Sequence, residues 1–223
     1  LILKDQLRLS ADFNKKEIEN SHPIKIYPDK RSQLDKVELM NQAHKAADSY
    51  HELINQVVVN YLDVAQNVLI ANSEGLYVED ERVRSRIMIS AVASKAGEKQ
   101  TGFYGPGAHK GFEFFEEIDI DNYAREAART AVTMVKADYA PSGKMPVIID
   151  NEFGGVIFHE ACGHGLEATS VAKNTSVFVG KINKKVASEK VTAIDDGTIA
   201  NGWGSQNIDD EGNPMQKNVL IED

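Results

Sequence analysis

The chain has 223 residues, 42% hydrophobic and 26% charged, the proportions of a globular protein with a real core and not of a disordered one. Its formal net charge of −9 argues against phosphate-backbone binding as a main activity, which needs clustered lysine and arginine. One cysteine, Cys162, rules out an intrachain disulfide, and no apolar run approaches the ~18 residues of a membrane helix. A cytoplasmic location with no membrane partner is expected. The chain opens LILKDQ without methionine and stops at VLIED in what reads as mid-strand, so a fragment lacking both ends is expected.

Residues 1–30 are polar and punctuated by proline, and are expected to form a linker or the end of a preceding domain. Ser32 and Asp35 have the spacing of a capping box. Val37, Met40, Ala43, Ala47, Tyr50 and Ile54 follow at steps of three and four, one stripe of an amphipathic helix. The period then changes to two. Asn72–Gly75 is a turn signal between apolar runs, and Val83, Ser85, Ile87, Ile89 and Ala91 alternate with Arg84, Arg86, Met88 and Ser90, which predicts an antiparallel hairpin with one buried face. Thr101–Phe115 is rich in glycine but has no P-loop Lys-Ser/Thr pair, so a mobile loop at a cleft is expected there. A second helix is predicted over Asp121–Lys136, with Ala124, Ala128, Ala131 and Val135 on one face and Pro141 beyond its end.

GKMPVIID, ending at Asp150, reads as a short buried strand, and the basic stretch Lys181–Lys190 as a solvated strand edge. From Thr175 onward strand-like runs alternate with Asp-Gly and Gly-Asn-Pro turns. Asn207, Asp209, Glu211 and Gly212 have the spacing that opens an EF-hand loop, but Asn218 stands where the bidentate glutamate belongs, so a hairpin turn is expected instead of a calcium site. The fold class is α+β. A mixed helix and antiparallel-sheet part (residues 31–140) precedes a strand-rich part (residues 141–223), entered through a helix that carries the chemistry.

That helix reads GGVIFHEACGHGLEA, Gly154–Ala168. At about 100° per residue, Phe153, Val156, Ile157 and Ala161 define a buried stripe with Glu160 and His164 in its middle. A carboxylate in a core needs a partner, and a metal cation or its water would serve. His159 lies about 140° from His164, whereas the H-E-x-x-H pattern leaves its histidines about 40° apart on one side. A regular helix therefore cannot aim both rings at one ion. A π-bulge can, and Gly163 and Gly165 should make it cheaper. Gly154 and Gly155 are expected to allow close packing of the helix start. The alternative is that the histidines merely pack.

VIFHEACGHGLEA, with NTSVFVGK, VTAIDDGT and NIDDEGNPMQKNVLIED, resembles the TldD side of the TldD/PmbA family, named as modulators of DNA gyrase and regarded as zinc metallopeptidases. The likeness covers most of the chain. It implies that His159 and His164 are zinc ligands and that Glu160 is the general base that activates the bound water. The family's third ligand is a cysteine near the C-terminus of the full-length protein, with no counterpart here, so the fragment alone is expected to be inactive. Cys162 falls about 160° from His164 on the wheel and is a poor substitute. The resemblance further implies peptide substrates, unfolded or short. It also implies a homodimer or a heterodimer with a PmbA/TldE-type subunit. A catalytically inactive scaffold and an indirect effect on gyrase are the competing readings, and the net charge of −9 speaks against direct nucleic-acid contact.

Overall fold

The structure is a computed structural model and describes residues 13–151 and 153–222. It is α+β and divides into two compact units, one formed by residues up to Asp138 together with Gly197–Gln216, the other by Tyr139–Asp196 with the last residues from Lys217.

The first unit is built on one long hairpin. Strand β2 (Ile54–Ala71) runs antiparallel to β3 (Leu76–Lys95) over the full register from Ile54–Ala93 to Ala71–Tyr77. The turn sits at the predicted Asn72–Gly75. Asn72 Oδ1 accepts the amides of Glu74 and Leu76, and Gly75 has φ 93°, a left-handed value that favours glycine. The other side of β3 pairs with β1 (Asn14–Lys16) in parallel, and with β4 (Glu98–Tyr104) and β5 (Gly107–Ala108) antiparallel. The predicted alternation holds: Val83, Ser85, Ile87, Ile89 and Ala91 are all fully buried.

Helices α1 (Gln33–Asp48) and α3 (Ile120–Lys136) cover that face. The capping box forms as the sequence implies, Ser32 Oγ accepting from Asp35 N and Asp35 accepting from Ser32 N. The expected stripe of α1 is only partly correct. Ala43, Ala46 and Ala47 are buried, Val37 is exposed, and Tyr50 and Ile54 lie past the helix end. Alanines face inward because their small side chains let the helix backbone sit close to its neighbours.

Three further segments complete this unit. Residues 14–30, read from sequence as a linker or the end of a preceding domain, pack with this unit. β1 joins the sheet, His22 and Pro28 are buried, and a short 3₁₀ turn spans Pro28–Lys30; residues 1–12 of the expected linker lie outside the described ones. Thr101–Phe115 is not a mobile loop. It supplies β4, β5 and the short helix α2 (Glu113–Glu117), and its Phe112, Phe114 and Phe115 enter the core. Glycine there serves close packing. Finally, Gly197–Gln216 packs with the first unit. Ile208 is fully buried, its carbonyl accepts from Arg82 Nη2, and Asn207 donates to Asp80. The hairpin turn expected here is present, with an Ile208–Pro214 bridge and Asp209 Oδ1 accepting the amides of Glu211 and Asn213.

The second unit has less regular structure. GKMPVIID is irregular, with Ile148 98% exposed, because no described strand pairs with it. Among the described residues after Thr175, strand content is confined to an antiparallel pair, β6 (Ala193–Asp196) and β7 (Lys217–Ile221), and the Ile208–Pro214 bridge of the first unit. Lys181–Lys190 is a string of turns and no strand edge: Gly180 and Asn183 have φ 66° and 60°, which an extended strand excludes.

Candidate metal centre

The segment from Gly155 to Leu166 is helical throughout, but its pitch changes in the middle. Helix α4 (Gly155–Phe158) leads into a π-helical turn, His159–Gly163, and then into α5 (His164–Leu166). His164 N–H donates to His159 O, five residues back, the hydrogen bond that defines a π turn. Gly163 keeps ordinary right-handed values, φ −55° and ψ −50°, so the wide turn does not depend on glycine's conformational freedom. Gly154 does need its missing side chain, because a Cβ would stand 2.0 Å from Asp150 O. Gly155 is open, contrary to the expectation of close packing there.

The extra residue in the turn rotates His164 back onto the side of His159. Their ring centroids are 4.4 Å apart with the planes at 70°. Donor atoms of His159, Glu160 and His164 all lie within 4.8 Å of one another. His164 Nε2 is 3.8 Å from Glu160 Oε2, and its Nδ1 is 2.8 Å from Glu167 Oε1. The hydrogen bond to Glu167 and the charge behind it raise the His164 pKa above the ordinary imidazole value.

The expected buried stripe is not buried. Phe153 is 81% and Ile157 58% exposed, and His159, Glu160 and His164 are exposed as well. A helical wheel tells which residues share a face; burial depends on what the fold lays against it, and the described residues of this unit lay nothing there. The convergence of the three side chains comes from the π turn and owes nothing to a core. Cys162, half-buried, is not among the converging groups.

The chemistry of the set suits a metal. Imidazole nitrogen and carboxylate oxygen are zinc ligands, and two ligands each about 2.0–2.2 Å from one ion stand at most about 4.4 Å apart. The observed spread of up to 4.8 Å is close to that limit. His159, Gly163 and Glu167 line a cavity of about 390 Å³ with Ile194 and Leu220. A groove of about 980 Å³ in the same unit shares Leu166 and Leu220 with it and runs along Val219–Glu222 of β7. The sequence reading missed the Glu167 contact; its spacing of three from His164, one helical turn, was the available signal.

Comparison with known proteins shows the family of the chain. Residues 26–135 match the PmbA/TldA metallopeptidase central domain and residues 142–223 the PmbA/TldA metallopeptidase C-terminal domain. The chain is 38% identical over 221 residues to a metalloprotease TldD homolog of Buchnera aphidicola, covering 94% of this chain and 45% of that protein. It is 39% identical over 193 residues to a TldD homolog of Haemophilus influenzae, covering 84% of this chain and 40% of that protein. The chain thus spans less than half the length of these relatives. A crystal structure described as a putative modulator of a DNA gyrase from Thermotoga maritima superposes with a TM-score of 0.80 at 26% identity, over 97% of this chain and half of that one. TldE from Thermococcus kodakarensis shares the fold, at TM-score 0.64 and 21% identity, over 96% of this chain and 48% of that one.

Proposed function

Because the chain belongs to the PmbA/TldA metallopeptidase family, we propose that it is part of a zinc-dependent peptidase subunit in which His159 and His164 hold the metal and Glu160 is the general base. The observation that carries this reading is the π turn, which brings two histidines five residues apart to one side of a helix with a carboxylate between them. The third ligand of the family pattern, a cysteine, corresponds to no residue of these 223. Zinc at such a site supplies Lewis acidity for water activation and carbonyl polarisation. Glu160 then takes the proton of the attacking water on a carboxylate oxygen and passes it to the leaving amine.

The substrates proposed are unfolded or short peptides, in peptide maturation and the removal of small unstructured proteins. The groove beside β7 supports this reading, since an extended chain can lie along a strand and bind through main-chain hydrogen bonds that select little for sequence. A dimer, with itself or with a PmbA/TldE-type subunit, and a cytoplasmic location complete the proposal; among the described residues no helix is long and apolar enough to cross a membrane. The test is zinc content and peptide cleavage of the intact protein and its Glu160→Gln variant. The variant is expected to retain zinc and lose at least about 10²-fold in turnover, the usual scale of a lost general base. A wild-type protein purified without chelator that carries no zinc would support the scaffold reading instead.

A further inference from the structure

Resting on the metallopeptidase reading, we infer that Glu167 is the positioning residue of the site, its carboxylate fixing the His164 ring so that Nδ1 carries the proton and Nε2 faces the metal side. The two ring nitrogens of His164 see different carboxylates at different distances. Nδ1 is 2.8 Å from Glu167 Oε1, a full hydrogen bond, while Nε2 is 3.8 Å from Glu160 Oε2, beyond hydrogen-bond range. An ionised carboxylate only accepts, so in the neutral imidazole the proton sits on Nδ1 and the Nε2 lone pair is left free. Nε2 is the ring nitrogen turned towards Glu160, one of the three converging groups. A ligating histidine whose other N–H is held by a carboxylate has a set tautomer, a set ring plane and a more basic ligand nitrogen.

The backbone prepares Glu167 for this. Its φ −59° and ψ 135° break the helix between α5 and α6 (Ala168–Ala172). The turn before it is anchored from outside: Ser176 Oγ donates to Gly165 O and accepts from Phe178 N, and the Phe178 ring lies where a side chain on Gly165 would be. Both partners are about half exposed, 56% for His164 and 52% for Glu167. An ion pair in that setting adds little to folding stability. Its consequence is orientation.

The experiment uses the intact protein and two variants, Glu167→Ala and Glu167→Gln. Nitrogen-15 shifts of His164 in metal-free protein, above the titration of the ring, read the tautomer; zinc affinity is read by competition with a chromogenic chelator. Wild type should show the Nδ1–H form. Glu167→Ala should lose it and bind zinc about 10–100-fold more weakly, the scale of lost outer-shell partners. Glu167→Gln, which keeps an acceptor oxygen without the charge, should hold the tautomer and fall between the two in affinity. Unchanged tautomer and unchanged affinity in Glu167→Ala overturn the inference. Loss of the Nδ1–H form in Glu167→Ala together with a wild type that takes up no zinc refutes the metal reading and leaves the Glu167–His164 coupling standing. Should Glu167→Ala fail to fold, the near-isosteric glutamine variant still decides, because equal zinc affinity there removes any part for the carboxylate charge.

Discussion

A β-carbon at position 102 would stand 2.0 Å from the carbonyl oxygen of Ala127 and 2.6 Å from the amide nitrogen of Ala131, so β4 touches α3 backbone to backbone at that point. Gly102→Ala must push the helix off the sheet, and overpacking of this kind costs about 1–3 kcal/mol. A urea midpoint within error of wild type would show that α3 shifts freely. Gly163 is the opposite case. Its backbone is helical, and an added Cβ would meet the His159 ring at 3.6 Å, an ordinary contact. Gly163→Ala is therefore expected to fold as well as wild type or better, since alanine exceeds glycine in a helix by about 1 kcal/mol. Its zinc content should not change; a drop would mean that the His159 ring needs that space to move.

Between elements, the π turn makes a prediction of its own. Deleting Ala161 turns H-E-x-x-x-H into H-E-x-x-H, and an ordinary helix then holds the histidines about 40° apart on one side, so metal uptake should survive. Inserting one alanine after Cys162 sets them about 120° apart on a regular helix, and uptake should be lost. Zinc bound as tightly by the insertion variant would show that the two rings do not share an ion. Farther along the chain, the capping box of α1 should be worth about 1 kcal/mol. Ser32→Ala removes the acceptor for Asp35 N, and thermal denaturation reads the loss.

At the scale of the molecule, the chain leaves β6, packs Gly197–Gln216 into the first unit, and returns to form β7. A pair of stacked, buried histidines holds this excursion. The rings of His22 and His109 are 4.2 Å apart at 15°. His22 Nδ1 accepts from Asn201 N, His109 Nε2 accepts from Val83 N, and His109 Nδ1 donates to Ser205 O. Burial lowers both pKa values below the ordinary 6.5, Arg84 adds to the lowering of each and their mutual repulsion to that of His109, and Asp80 opposes it. The unfolded chain thus binds protons here that the folded one refuses. Their contribution to stability is complete above about pH 6.5 and is lost as pH falls from there through the folded-state values. His164, with its raised pKa, acts in the opposite sense. Protection factors for hydrogen exchange at Asn201 and Ser205, which remove the intrinsic pH dependence of exchange, should fall between neutral and mildly acid pH, before the carboxylates titrate. His22→Asn should flatten that dependence, and a pH-independent protection factor in wild type would count against the histidine pair as its source.

Much of this was legible in the residues. The capping box at Ser32, the Asn72–Gly75 turn and the alternation on β3 are local signals, set by hydrogen-bond geometry and by a period of two, and they formed where the sequence placed them. So did the π turn, because a spacing of five between two histidines on a helix leaves few other ways for the rings to meet. Burial was a different matter. The wheel grouped Phe153, Ile157, Glu160 and His164 on one face, but a face becomes a core only when distant chain covers it, and nothing local encodes that. The return of Gly197–Gln216 to the first unit, the stacking of His22 on His109 and the entry of Phe112, Phe114 and Phe115 into the core join residues far apart in sequence. Tertiary packing decided these, because hydrophobic burial rewards proximity in space regardless of distance along the chain.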